Sequence, residues 1–185
     1  IPEVKVIGVS SLRELFGVLK GYQQAPEQPA APLPLLNTPP SITFDTITGH
    51  QQAKRALTIA AAGRHNILFS GPPGAGKTLL AKSLQSILPS LSKEEILEVT
   101  KLHSLASGDD GKIYSEPPFR APHHSVTPTA LIGGGLKPRP GDISLAHKGV
   151  LFLDELPEYP RAILESLRQP LEDRLVRLSR LYGHI

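Results

Sequence analysis

Gly71-Pro72-Pro73-Gly74-Ala75-Gly76-Lys77-Thr78 is a complete G-x-x-x-x-G-K-[ST] pattern. It stands between a short apolar run, Asn66-Ile67-Leu68-Phe69-Ser70, and a helix-like stretch from Leu79 to Leu88. A strand, a glycine-rich turn and a helix in that order form the context in which this pattern cradles phosphate. The glycines let the backbone curl so that successive N–H groups converge on one anion. The helix that starts at the turn adds its positive end. In that arrangement Lys77 reaches the β- and γ-phosphates of a nucleotide and the Thr78 hydroxyl ligates Mg²⁺. The competing reading, a glycine-rich turn met by chance, is disfavoured by the flanking strand and helix.

A second motif lies downstream at Val150-Leu151-Phe152-Leu153-Asp154-Glu155. Four continuous apolar residues fit a strand buried on both faces of a parallel sheet. The two carboxylates stand at its C-terminal end, where open α/β sheets bind ligands. Asp154 fits the aspartate that holds Mg²⁺ through a water, and Glu155 the base that polarises an attacking water. An apolar run ending in Asp-Glu is a weak signal alone and a strong one behind an upstream phosphate loop. Together the motifs predict an α/β fold of the P-loop NTPase kind.

Composition sets bounds on this reading. The 185 residues suit one domain, or one with an appended piece. No stretch of eighteen apolar residues occurs, so no membrane span is expected, and no charged start followed by an apolar run marks a signal peptide. Cysteine is absent, which removes disulfides and thiolate metal sites and is compatible with a cytoplasmic setting. Methionine is absent too, so Ile1 is read as not the native start and the chain as a piece of something longer. A net charge of +3 permits nucleic-acid contact without requiring it.

Ahead of the loop, Val4, Val6 and Ile7 read as a short strand and Ser11–Glu14 as a capping box for a helix with Leu12, Leu15, Phe16 and Leu19 on one face. Residues 23–41, with Pro26, Pro29, Pro32, Pro34, Pro39 and Pro40, read as an extended linker or, alternatively, as a proline-rich ligand. Thr48 to Ala62 reads as a helix boxed by Thr48 and Gln51 and ended by Gly63. Phe44 to Gln51, with Ile47, Gly49 and His50, lies where it can fold over an adenine, or is an ordinary start to that helix.

Beyond the loop, Ser92 to Ala106 reads as a helix capped by Ser92 and Glu95. Asp109-Asp110-Gly111 reads as a solvated turn rather than a metal pair. Phe119 to His124 reads as a strand, on which His123 and His124 point to opposite faces and so do not make a metal site. Gly133 to Gly141 holds too much Gly and Pro for helix or strand. It is either a substrate-touching loop bearing Lys137 and Arg139 or a surface excursion. Pro160 to Leu167 reads as a helix. Glu172 to Arg180 reads as a strand or hairpin whose Arg174, Arg177 and Arg180 are candidate DNA contacts or a solvated edge.

Several further stretches carry a resemblance: Pro118 to His124, Ala130 to Gly135, Pro140 to His147, Gly149 to Pro157 and Leu167 to Glu172. Taken with the two motifs, Ser41 to Arg180 resembles the magnesium-chelatase-like AAA+ ATPases of the YifB/ComM type, and Ile1 to Gly21 resembles the end of the Lon-protease-like domain that precedes the ATPase there. The resemblance implies residues 1–22 as that remnant, 23–41 as a linker and 42–185 as an AAA+ core. It implies a three-layer α/β core with an insert in its second helix, holding the 133–141 loop. It also implies ATP and Mg²⁺ as cofactors and self-assembly into a ring, a hexamer in this type. Lys137 and Arg139 would face the pore, and single-stranded or branched DNA would be the partner of a branch-migration helicase in natural transformation. Sensor 1, the arginine finger and the lid are expected beyond residue 185, which makes the core C-terminally incomplete. Two other readings stay open: an ATPase subunit driving metal insertion into a porphyrin, and a nucleotide-binding assembly module without turnover. No guanine-reading N-K-x-D motif is present, which favours ATP.

Overall fold

The computed structural model describes residues 7–24, 35–36, 42–108, 112–135 and 137–177. Val4, Val6, most of the proline-rich stretch, Asp109-Asp110-Gly111 and Arg180 lie outside the described residues. The chain divides into two compact units, Ile1–Leu33 and Pro34–Ile185.

The first unit holds helix α1, Leu12–Leu19. Ser11 caps it by accepting from the Glu14 N–H at 3.2 Å. The Glu14 carboxylate turns to Ser10, accepting from its N–H at 2.7 Å and its hydroxyl at 2.6 Å. The box is therefore half built, with the return bond one residue earlier than its pattern requires. Leu12, Leu15, Phe16 and Leu19 are all exposed.

The second unit begins its described backbone with strand β1, Leu35–Leu36, and continues through helices α2, Gln51–Gly63, and α3, Lys77–Ser83. Helix α2 starts later than Thr48 because Gly49 (φ 74°) and His50 (φ 53°) both turn left-handed ahead of it, and no side chain caps it. At its other end the left-handed residue is Arg64 (φ 52°) rather than Gly63. Between α2 and α3, Ile67 and Phe69 point into the core while Leu68 is 77% exposed. This alternation is a strand's, yet residues 66–70 join no ladder among the described residues.

Helix α4, Lys93–Ser107, carries the full capping box read from the sequence. Ser92 accepts from the Glu95 N–H at 3.3 Å and Glu95 accepts from the Ser92 N–H at 3.1 Å. Strands β2, Ile113–Tyr114, and β3, Phe119–Arg120, follow, then α5, Pro128–Ile132. Next come β4, Gly133–Gly134, β5, Arg139–Pro140, α6, Asp142–Leu145, and β6, Val150–Leu151. Helix α7, Arg161–Asp173, starts after Pro160 and runs well past Leu167, with Pro170 inside it. Residues 172–173 are thus helical, and no ladder forms over 174–177.

Three strand pairs form among the described residues. β1 runs parallel to β2, and β3 runs parallel to β6 with Phe119 opposite Val150. β4 and β5 are antiparallel, so the glycine-rich 133–141 stretch closes a hairpin after all. Its first three glycines adopt φ of 111°, 110° and 93° at Gly133, Gly134 and Gly135, a path open to them and strained for other residues. Helices with parallel strand pairs make this an α/β fold.

Two core clusters form among the described residues of the unit. Beside the 71–78 loop, Ile47, Leu57 and Leu80 pack with Phe44, Ile67, Phe69 and Leu84, fixing α2 against α3. Under β6, Leu131, Tyr159, Ile163 and Leu167 pack with Leu151 and Leu153, fixing α5 and α7 against the strand. Leu131 is fully buried. Leu131→Ala is expected to destabilise this unit by about 2–5 kcal/mol, measured as the shift in denaturant midpoint at unchanged slope.

A charged network ties α2, α4 and the turn ahead of β6. Glu95 meets Arg64 at 3.0 Å and Lys148 at 3.4 Å, and Glu98 meets His147 at 3.0 Å. The Ser92 N–H, then Arg64 and Lys148, pull the Glu95 carboxyl down to about 2. Against an unfolded value near ~4.3, this stabilisation is present above that value and is lost as pH falls toward 2. Glu95→Gln is expected to lower the melting temperature at neutral pH, by a gap from wild type that narrows as pH drops through this window. Thermal melts across pH check it.

Candidate functional site

The loop from Gly71 to Thr78 turns on two left-handed glycines, Gly74 (φ 76°) and Gly76 (φ 75°). Gly76 is the N-cap of α3, so Lys77 opens that helix. The Lys77 ammonium donates to the Gly71 carbonyl at 2.9 Å and the Pro72 carbonyl at 2.8 Å, lying along the loop it serves. A cleft of about 390 Å³ opens over Gly74 to Thr78.

Thr78 donates its hydroxyl to Asp154 Oδ2 at 2.8 Å, across 76 residues of sequence. The other Asp154 oxygen accepts from the Glu155 N–H at 3.0 Å. Asp154 arrives there because β6 pairs with β3, a ladder continued by the Phe152 N–H donating to the Arg120 carbonyl at 2.8 Å. Gly149 permits this approach, since a Cβ on it would lie 2.0 Å from the Pro118 carbonyl oxygen. Arg120 in turn grips Asp142 through Nε at 2.8 Å, tying β3 to α6.

Glu155 follows in a left-handed conformation (φ 52°, ψ 48°), uncommon for a non-glycine residue and typical of sites held in place by their surroundings. Its side chain is 69% exposed, with His124 Nδ1 at 3.8 Å. His123 and His124 do not point to opposite faces. β3 ends at Arg120, and their rings lie side by side, centroids 3.9 Å apart and tilted by 38°. Tyr159, buried beside them, donates its hydroxyl to the Pro122 carbonyl at 2.6 Å. Burial, followed by the charges of Asp154 and Asp142, raises its pKa.

The donor set at Thr78 and Asp154 suits Mg²⁺, a hard cation that takes one or two protein oxygens and completes its shell with phosphate and water. The segment ahead of α2 reaches the loop through His50, whose Nε2 would lie 3.8 Å from a Cβ on Gly76. Gly49 is exposed and Ile47 is buried in the core beneath. The sequence reading missed Ile42, Leu79 and Lys82, which also line the cleft. Lys82 was findable, because it stands one helical turn after Thr78 on the same face. The basic residues are not gathered here: Lys137 and Arg139 are exposed on the β4–β5 hairpin, and Arg174 and Arg177 after α7. Arg180 lies outside the described residues.

A family model described as magnesium chelatase, subunit ChlI, matches residues 43–185. Over 146 residues the chain is 55% identical to the competence protein ComM of Haemophilus influenzae, covering 78% of this chain and 29% of that protein. It is 52% identical over 149 residues to the YifB protein of Salmonella typhimurium, covering 79% and 29%. Lon protease 2 of Bacillus subtilis is 30% identical over 149 residues, covering 76% and 27%. The chain therefore spans under a third of the length of these curated relatives. No helix among the described residues is long and apolar enough to cross a membrane.

Proposed function

The chain belongs to the magnesium chelatase ChlI family, and from that premise we propose that it binds Mg-ATP on the 71–78 loop and hydrolyses it as part of an AAA+ motor acting on DNA. One observation carries the reading: the Thr78–Asp154 hydrogen bond closes the phosphate loop onto the carboxylate end of β6, so two motifs far apart in sequence form one site. Loop N–H groups and Lys77 hold the phosphates. When bound, Mg²⁺ supplies positive charge at the transferring phosphate oxygens. Thr78 and Asp154 are the residues that would hold it, the aspartate in its outer shell. Glu155 takes the proton of the attacking water.

The competence name of one relative points the motor toward DNA. Lys137 and Arg139 on an exposed hairpin supply phosphate-contacting cations, with Arg174 and Arg177 as a second set. A ring of copies, a hexamer in the resembling type, is the assembly in which the hairpin would line a channel. The family description itself favours a second reading, an ATPase subunit driving metal insertion.

Phosphate release from Mg-ATP by the full-length protein, with and without single-stranded and branched DNA, separates these. Turnover stimulated by DNA and absent from Lys77→Ala supports the motor. Turnover indifferent to DNA favours the metal-insertion reading. Nucleotide binding without turnover identifies an assembly module.

A further inference from the structure

Lys82 lies outside both motifs, yet it lines the cleft over Gly74 to Thr78 together with Ile42 and Leu79. The role argued for it rests on the 71–78 loop being the nucleotide site. Lys82 is exposed and stands in the last turn of α3, four residues after Thr78 and three after Leu79. Side chains at those spacings are neighbours on one helix face. Each Cα–Cβ bond also leans toward the helix start, so a lysine stem reaches back over the preceding turn. The Lys82 ammonium is thereby carried toward the level of Thr78 and Leu79.

The two lysines of the cleft differ in what they already hold. Lys77 donates to the Gly71 and Pro72 carbonyls. Lys82 makes no ion pair or side-chain hydrogen bond among the described residues, so turning to an anion breaks no existing contact. The cleft lining includes neither Asp154 nor Glu155. The Thr78–Asp154 bond marks the end where the γ-phosphate and its Mg²⁺ belong. Ile42 and Leu79 give the cleft apolar walls, suited to a base rather than to charge. A nucleotide with its outer phosphate toward Asp154 and its base against those walls brings the phosphates nearest its sugar past Lys82. We propose that Lys82 is a binding residue for these inner phosphates, the α and β groups that ATP and ADP share, so that it holds the diphosphate product and the triphosphate alike.

Titration of the full-length protein with Mg-ADP, and with the Mg²⁺ complex of a non-hydrolysable ATP analogue, tests this in Lys82→Met, Lys82→Arg and Lys82→Glu. One exposed, salt-screened, charge-assisted hydrogen bond is expected to contribute roughly tenfold in affinity at low ionic strength. Lys82→Met should lose that factor for both ligands equally, and the loss should narrow in high salt. Lys82→Arg should stay within about threefold of wild type, because the charge is restored. Lys82→Glu should bind more weakly than Lys82→Met, because it sets an anion against the phosphates. Wild-type affinity in Lys82→Met overturns the proposal, as does a Lys82→Arg as weak as Lys82→Met. A loss confined to the triphosphate also overturns it, since the cation then serves the γ-phosphate. So does a Lys82→Glu that binds no worse than Lys82→Met, since a carboxylate replaces an ammonium only as a partner for the ribose hydroxyls. Lys77→Ala, run alongside, keeps the two readings apart. If it binds like wild type, the loop is not the nucleotide site and both readings fail. If it loses binding while the Lys82 variants bind like wild type, only the present inference fails. A wild-type protein that binds neither ligand overturns both.

Discussion

Lys77→Ala is expected to weaken Mg-ATP binding by about 100-fold or more, a loss near 3 kcal/mol at one or two charge-assisted hydrogen bonds. The ammonium stands at the first turn of α3 and already follows the loop, held by the Gly71 and Pro72 carbonyls. Moving to a phosphate exchanges two neutral acceptors for an anion, which adds charge–charge attraction to bonds whose donor is already ionised. Alanine retains the helix and removes only the charge, so the fold should survive. Titration of a fluorescent ATP analogue, with circular dichroism as the fold check, reads the outcome. Unchanged affinity would remove this loop from the nucleotide site.

Glu155→Gln is expected to leave nucleotide affinity intact and to lower kcat by roughly 10²–10⁴-fold, the range general-base catalysis contributes. The amide keeps the shape, the exposed position and the backbone turn, but it cannot take a proton. Its Asp154 neighbour retains both of its bonds, from Thr78 and from the residue 155 N–H. Binding by titration and phosphate release in a single turnover give the two readouts. Turnover near wild type in an assembled protein would exclude Glu155 as the base.

Much of the site was legible because its parts are local. The pattern sets glycines at fixed spacing, and Gly74 and Gly76 adopt left-handed angles that glycine takes without strain. Ser92 and Glu95 cap α4 because both partners lie within one turn. Local reading failed where a backbone choice intervened. The Thr48–Gln51 box is overruled by the left-handed Gly49 and His50, and Arg64 takes the left-handed place at the end of α2 assigned to Gly63.

The remainder depends on pairing, which composition does not encode. Gly133 to Gly141 looked unable to form a strand, yet register pairs Gly134 with Arg139, and Gly141 packs where a Cβ would lie 2.5 Å from the Leu131 carbonyl oxygen. His123 and His124 were assigned opposite faces on the premise of a six-residue strand, and the strand is only Phe119–Arg120. Residues 66–70 keep the side-chain alternation of a strand without a ladder among the described residues. Gly149 is the residue whose necessity only the structure reveals, since its neighbour, Pro118, is remote in sequence.

Phosphate release from Mg-ATP by the full-length protein, with Lys77→Ala and Glu155→Gln measured beside it, tests the joined loop and strand end most directly. The account predicts steady turnover in the wild type and none above background in either variant, with ATP still bound by Glu155→Gln and not by Lys77→Ala. Turnover that persists in both variants would contradict it, because hydrolysis would then occur at a site built from neither motif.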